Sequence, residues 1–426
     1  MKIKDIGEQG LLTILQKFCP AEIVGDDAAV IAVQADRSLV ITTDMLVDGV
    51  HFSDRTTGPY YAGWRAAAAN LSDLAAMGAT PLAVTVALAV AADTAVDWVE
   101  EFYRGMTACL QGYHTPIVGG DVVRSPVVTV AITAFGEVEC DRTIRRSNAR
   151  SNWAIVATGV HGASRAGLEL LLNPEFGGNL TEVDRASLIL AHQRPKPRLD
   201  VLSVIWEIFG VEGAMEPPLN PPLAKGGKQE SNSPSPPLAK GGKQESNSPS
   251  PPLSKGEKQE SNSPSPPLSK GGKQESNSPS PPLSKGGKQE SNSPSPPLSK
   301  GGPGGVNSPI AIAGMDSSDG LADAIVQICR ASGIGAKVDR AKIPIPHIFS
   351  ELVSPETALD WALYGGEDFE LVLFLPMAHA QLLVEKIGNG AAIVGIATEN
   401  TDIWLTDSSG IYPHAILKLD RGFQHF

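Results

Sequence analysis

"YYAGWRAAAANLSDLAAMGATPLAVTVALAV", residues 60–90, changes character once, at Gly78. Up to that glycine the stretch is dominated by alanine and leucine, the best helix formers, and the glycine is a natural stop. From Thr80 to Val90 it is an almost unbroken apolar run with interspersed valines. A short run of that kind, bounded by a turn, is the pattern of a buried strand. Helix followed directly by strand places this region in the α/β or α+β class. Its neighbours extend the order. "SLVITTDMLVD" (38–48) reads as a strand that ends in polar residues, "AVDWVEEFYRGMTACLQGY" (95–113) as an amphipathic helix, and "TPIVGGDVVRSPVVTVAITAFGEV" (115–138) as strand, turn, strand. The resulting β-α-β-α-β-β order predicts a first domain over residues 1–145.

A second α/β domain opens at "WAIVATGV" (153–160) and continues with helices at 164–172, 183–192 and 197–209. It is interrupted and then resumes. Residues 310–333 read as a strand running into a helix, 356–363 as a helix, 365–376 as a turn and strand, and 377–397 as a helix and strand. The second domain is therefore expected over 146–215 and 310–426. Between its halves lies a tract with a strict 15-residue period, "PPLAKGGKQESNSPS", restarting at Pro221, Pro236, Pro251, Pro266, Pro281 and Pro296. One leucine per unit among Pro, Ser, Gly and Lys cannot build a core, so 216–309 is predicted to be a disordered insertion. Lengthening a loop from ~10 to ~100 residues costs only about 2 kcal/mol in closure entropy. A fold can carry it.

Bulk properties narrow the function. The chain has 426 residues and a formal net charge of −12. The basic repeats add about five positive charges, so the remainder is near −17 by the same count. That argues against a nucleic-acid partner. No stretch reaches the ~18–20 apolar residues that would span a bilayer, so no membrane association is expected. "MKIKDIGEQGLLTILQKF" reads as an amphipathic helix without a small-residue cleavage site, hence as mature sequence. Cys19, Cys109, Cys140 and Cys329 are far apart and show no metal spacing. Reduced thiols and a cytoplasmic location follow as the plain expectation.

The acidity is clustered. "MDSSDGLAD" (315–323) holds Asp316, Asp319 and Asp323 between a strand and a helix that Ser318 or Asp319 could cap. Alone, these acids could do no more than complement the helix dipole. The pattern recurs, however, at Asp26 and Asp27 in "GDDAAV", and at Asp44 and Asp48 at a strand end. It recurs again at Asp73 in a helix, at Asp121 in a glycine turn, and at Glu367 and Asp368 in "GGEDFEL". Two like charges at 4 Å repel by about 4 kcal/mol at an effective dielectric of 20, so such a constellation needs compensation. Hard divalent cations provide it, and Mg²⁺ usually shares its carboxylates with substrate phosphates. The glycine turns suit close approach of backbone to phosphate oxygens. Neither a P-loop nor the usual protein-kinase motifs are present. "KGGKQES" has Gln after its lysine and lacks the upstream glycine.

At these residues the chain resembles the thiamine-monophosphate kinases, in the superfamily that includes aminoimidazole ribonucleotide synthetase and selenophosphate synthetase. "GDDAAV", "TTDMLVDGVHF", "NLSDLAAMGATPL", "GGDVVRS", "SSDGL", "YGGEDFEL" and "GFQHF" match in order, over essentially the whole chain outside 216–309. Cys19, in "KFCPAE", does not look like the reactive cysteine of selenophosphate synthetases. The resemblance implies a two-domain fold of the aminoimidazole ribonucleotide synthetase type, with N-terminal sheets that join into a barrel in a homodimer. It implies ATP-dependent phosphorylation of thiamine phosphate to thiamine diphosphate. Asp27, Thr42, Thr43, Asp44, Asp73, Asp121, Asp316 and Asp319 would then hold several Mg²⁺ ions. Gly120, Asp121, Arg146 and Ser318 would contact ATP. His51 and Glu367 would contact thiamine phosphate, with an aromatic such as Phe423 stacked on it.

The chemistry of the residues agrees with that reading. A phosphate nucleophile is already anionic near neutral pH and needs no general base, which leaves positioning and charge neutralisation. His51 is expected to bind substrate rather than to act as a base. Two alternatives remain from sequence: another ATP-using enzyme of the same superfamily, and a non-catalytic scaffold that uses the repeats.

Overall fold

The computed structural model describes residues 1–20, 29, 31–210, 310–388 and 390–419. The described residues belong to one compact unit. Asp27, Phe423 and the repeats lie outside them.

Helix α1 (Ile3–Leu15) is followed by β1 (Arg37–Val47), α2 (Pro59–Ala76), β2 (Thr80–Val90), α3 (Val96–Gln111), β3 (Ile117–Arg124) and β4 (Thr129–Glu139). The four strands form a sheet in the order β1-β4-β2-β3. Strand β4 runs antiparallel to β1 and β2, while β3 is parallel to β2 through the α3 crossover. Pro59 opens α2 at a position where its missing N–H costs nothing, and Gly78 (φ 75) turns the chain sharply into β2. Helices α2 and α3 cross where Gly63 faces the Phe102 carbonyl and Gly105 faces the Tyr60 carbonyl. A Cβ at either glycine would overlap that oxygen.

The sheet has two unlike faces. Along β1, Leu46 is buried, while Leu39, Ile41 and Met45 point the other way and are 45 %, 57 % and 56 % exposed. The same open face continues across the sheet. Met45 is level with Ala131, Ala131 with Ala87, and Ala87 with Asp121. Strand β2 is buried or half-buried along its length as expected, with Ala87 alone exposed on the open face. Two placements of acids are corrected. Asp121 lies within β3, an edge strand, and not in a turn; Asp44 lies inside β1, three residues before its end.

The second half contains β5 (Ala154–Ala157), α4 (Ala163–Leu172), α5 (Glu182–Gln193), α6 (Leu199–Ile208), β6 (Ala313–Asp316), α7 (Leu321–Ser332) and β7 (Gly335–Asp339). It ends with α8 (Phe349–Leu352), α9 (Pro355–Tyr364), β8 (Leu371–Leu375), α10 (Met377–Ile387), β9 (Ala392–Thr398), β10 (Ile403–Thr406) and β11 (Ala415–Ile416). Its seven-stranded sheet has the order β11-β10-β7-β9-β5-β8-β6. Strand β6, which ends at Asp316, is therefore an edge strand, held to β8 alone. The boundary expected at 145/146 falls between the two sheets. One hydrophobic core nevertheless runs through it, from Val86 and Ile132 by way of Leu71, Leu74 and Ile144 to Val156, Leu202 and Leu373. Helix α2 is at its centre and packs against α3, β1 and β4 as well as against β6, α5 and α6.

Candidate active site

The acids meet where α2 bridges the two sheets. Thr42 and Asp44 sit two residues apart on β1, so their side chains share the face toward α2. The Thr42 hydroxyl donates to the Asp73 carboxylate, and the Asp44 backbone N–H donates to Asn70 Oδ1 at 3.3 Å. One residue before Asp73 on the same helix, Ser72 Oγ donates to Asp316 Oδ2 at 2.8 Å. Ser318 Oγ donates to the other Asp316 oxygen at 3.0 Å. Three segments far apart in sequence are thereby tied together by short polar contacts. Asp319 completes the group: its charge acts on Asp44.

Electrostatics report how close these carboxylates are. Burial raises Asp44 to about 6, with Asp73 and Asp319 adding to the shift. Burial raises Asp316 to about 7, and the charges of Asp73 and Asp44 add to it, against the hydrogen bonds from Ser72 and Ser318. Asp73 is raised by burial too, but the Thr42 hydroxyl and the Arg146 charge hold it back. The donors are all oxygen, the choice of a hard cation. Among the described residues no three His, Cys, Asp or Glu side chains close on one point as a ready-made cage. Mg²⁺ does not require one, since it commonly takes one or two carboxylates and completes its shell with water and phosphate. The residues present fit that cation.

A cleft of about 1100 Å³ extends from this acidic end. Asp44, Asp73, Asp316, Ser318 and Asp319 line one side, and His51, Arg65, His192, Tyr364, Glu367 and Phe369 lie further along. His51 Nδ1 accepts the Val47 backbone N–H at 3.1 Å, which leaves the ring proton on Nε2. Glu367 sits in a tight turn with Gly366, Glu367 and Phe369 all at positive φ (66, 58 and 53). That turn is clamped. The Glu367 N–H donates to the Ser318 carbonyl at 2.7 Å, and Asp368 accepts the Gly162 and Ser164 amides at 2.7 and 2.9 Å, capping α4.

Not every candidate converges. Thr43 borders the cleft, but its side chain is on the open face of β1, where its hydroxyl pairs with that of Thr133 at 2.9 Å. Gly120 and Asp121 lie on β3, three strand spacings from β1, or roughly 14 Å. Arg146, in a short turn, acts on Asp73 but does not line the cleft. The expected cap of α7 by Ser318 or Asp319 is not made: Gly320 is the N-cap, without a side-chain hydrogen bond, because Ser318 is engaged with Asp316. Asp323 lies in the first turn of α7 and accepts from Gln327 at 3.3 Å. Arg65 and His192 escaped the sequence reading. The available signal was helical spacing, since Arg65, Ala69, Ser72 and Asp73 fall on one face of α2.

Comparison with known proteins is consistent with this geometry. Residues 25–138 match the family described as AIR synthase related protein, N-terminal domain. The chain is 39 % identical over 424 residues to a thiamine-monophosphate kinase of Synechococcus elongatus, covering 100 % of this chain and 98 % of that one. Among solved structures, AaThiL complexed with AMPPCP and TMP superposes with a TM-score of 0.57 at 22 % identity, over 98 % of both chains. The hydrogenase maturation protein HypE of Escherichia coli superposes with a TM-score of 0.59 at 13 % identity, over 97 % of this chain and 99 % of that one. The fold is thus shared by proteins with different names and does not by itself choose between activities.

The raised pKa of Asp316 gives a testable stability signature in buffer free of divalent cations. The folded state holds a proton that the unfolded state releases above the ordinary value of 3.8. The resulting loss of stability sets in above that value and is complete above about 7. Asp316→Asn keeps an acceptor for Ser72 and cannot ionise. Its thermal midpoint relative to wild type should therefore rise between pH 4 and pH 7 and level off above. Melting curves of both proteins across that range in EDTA check this; a difference that is flat or falls with pH contradicts it.

Proposed function

The chain belongs to the thiamine-monophosphate kinase family, and we propose that it transfers the γ-phosphoryl group of ATP to thiamine phosphate, yielding thiamine diphosphate. The observation that carries this reading is full-length identity to a thiamine-monophosphate kinase in a chain that gathers Asp44, Asp73 and Asp316 at one end of a single cleft. AaThiL, which shares the fold, is solved with AMPPCP and TMP, a pairing that suits a nucleotide and a second ligand in one site.

In this reading Asp44, Asp73, Asp316 and Asp319 would hold Mg²⁺, with Asp27 and Thr42 contributing, while Thr43 and Asp121, on the open face of the first sheet, would reach such an ion only across the face a second copy covers. Bound Mg²⁺ supplies charge neutralisation for the transferring phosphoryl group. The chain's own residues orient and exclude water. Ser318 would contact ATP from within the cleft, and Gly120, Asp121 and Arg146, which lie outside it, would do so only if the nucleotide extends beyond the cleft along the first sheet. His51 offers its Nε2 proton to the acceptor phosphate, because Nδ1 is already occupied by the Val47 N–H. That tautomer makes it a donor and not a base. No base is needed, since a phosphate monoester is largely dianionic above its second pKa of about 6. Glu367 and Phe423 hold the thiamine rings. Transfer is then in line, with approach along the cleft from the Glu367 end toward the acids.

A homodimer fits the open sheet face. Leu39, Ile41, Met45 and Val123 are exposed on the first sheet, and its edges, β1 and β3, lack a further strand among the described residues. A second copy would cover that face and the Asp121 strand with it. The acidic chain suits neither nucleic acid nor an anionic surface, and no described helix is long and apolar enough to cross a membrane. A cytoplasmic biosynthetic enzyme is the simplest setting. The division into 1–145 and 146–215 with 310–426, with 216–309 as an insertion in the second part, completes the proposal.

Two measurements test it. Thiamine diphosphate and ADP should form together from ATP and thiamine phosphate, only with Mg²⁺ or Mn²⁺, and Asp44→Asn should lower turnover about 100-fold. ATP turnover that ignores thiamine phosphate, or an Asp44→Asn enzyme at wild-type speed in limiting Mg²⁺, contradicts the assignment. Replacing residues 217–306 by a short Gly/Ser linker should keep kcat and both KM values within a few-fold and leave the melting temperature equal or slightly higher. A large change in the KM for ATP would make the repeats part of the catalytic cycle.

A further inference from the structure

Helix α2 presents a second charged group to the cleft, two turns before Asp73. Arg65 is 3 % exposed. One nitrogen, Nη1, donates to the His192 carbonyl oxygen at 2.6 Å and lies 3.3 Å from His192 Nδ1; Nη2 pairs with Glu367 Oε1. The Nε proton has no hydrogen-bond partner, so the guanidinium is anchored through its forked end alone. His192 is held in turn by Ser164 Oγ, 3.2 Å from its Nδ1, and Glu367 Oε2 lies 3.7 Å from the same ring nitrogen. Burial, with Arg65 and Arg165 beside it, keeps the imidazole uncharged, so the charged partner of the guanidinium is the Glu367 carboxylate.

Glu367 is therefore fixed from two directions. Its backbone N–H is bonded to Ser318, in the loop that carries Asp316 and Asp319, and its carboxylate is bonded to α2. Helix α2 also carries Asp73 and Ser72, which face the acidic end. Eight residues separate Arg65 from Asp73, a rise of roughly 12 Å along the helix. An extended phosphate ester with two linked rings can bridge that span. A carboxylate that accepts from a guanidinium keeps lone pairs for an amino group or a cationic ring.

We propose that Arg65 is a positioning residue for the acceptor: by fixing the Glu367 carboxylate, it sets where the thiamine rings rest and hence where the acceptor phosphate arrives relative to the acids on the same helix. This rests on the reading of the cleft as a thiamine phosphate kinase site. A lysine cannot reproduce the effect fully, because the fork that grips His192 and Glu367 together becomes a single point charge.

The test is steady-state kinetics of wild type, Arg65→Lys, Arg65→Gln, Glu367→Gln and the Arg65→Gln/Glu367→Gln pair, varying each substrate in turn. Arg65→Gln should raise the KM for thiamine phosphate about tenfold and change the KM for ATP less than about twofold. Arg65→Lys should fall between it and wild type. Glu367→Gln should show the same selectivity, and the pair should be no worse than the poorer single variant, since both act through one contact. A wild-type KM for thiamine phosphate in Arg65→Gln, or equal rises in both KM values, overturns the proposal while leaving the kinase reading intact. If Arg65→Gln does not fold, Arg65→Lys and Glu367→Gln decide: a selective acceptor effect supports the proposal and unaltered kinetics overturn it. A wild-type enzyme that does not phosphorylate thiamine phosphate removes both the reading and the proposal.

Discussion

Asp44, Asp73, Asp316 and Asp319 repel one another. Two such charges 4 Å apart would cost about 4 kcal/mol at an effective dielectric of 20. The protein accepts this repulsion and spreads it over neighbours that donate hydrogen bonds, Thr42 to Asp73 and both Ser72 and Ser318 to Asp316. Without positive charge, burial first and this repulsion second raise Asp44 to about 6 and Asp316 to about 7, so the site takes up protons. In the proposed mechanism a hard cation and phosphate would turn the same groups into ligands. The site is thus unfavourable when empty of charge partners and favourable when loaded, as expected of a centre proposed to bring a triphosphate and a phosphate monoester together.

Helix α2 makes this arrangement possible. It is buried along most of its length, and its alanines and Gly63 allow α3 to approach closely on one side. On the other side it meets β1 and reaches β6, so one rigid element sets the distance between acids from the first sheet and acids from the second. Asn70, Ser72 and Asp73, within a single turn, fasten the Asp44 backbone, Asp316 and Thr42 respectively. Arg65 extends the same control to Glu367. Sites built on helices and strands hold their geometry better than sites built on loops alone, and here the loops at 317–320 and 365–370 are bonded to one another and to α2.

Much of this was legible in the sequence because it is local. The Ala-rich run, its glycine stop and the apolar strand behind it are readable from propensity, and the structure places them at Pro59–Ala76 and Thr80–Val90. The acids stood out by type and by motif. Long-range matters were harder to read. Strands β7, β10 and β11 are short and gain their place by pairing, β7 with β9 and β10, β10 with β11, so their own five, four and two residues carry little pattern. Asp121 looked like a turn residue because glycines precede it, whereas Gly120 lies where a Cβ would overlap the Val86 carbonyl of β2. Arg65 read as an ordinary charge in a helix. Only the fold shows that His192 and Glu367, both far away in sequence, shut it in.

In the proposed mechanism the acids joined by α2 form the metal and phosphate end of the cleft. Anomalous diffraction from crystals grown with Mn²⁺ and a non-hydrolysable ATP analogue tests it directly. Peaks are expected within about 2.2 Å of carboxylate oxygens of Asp44, Asp73 and Asp316 or Asp319, with the analogue's terminal phosphates on the same ions. Ordered Mn²⁺ bound elsewhere, with these carboxylates bare and the nucleotide well resolved, would contradict it.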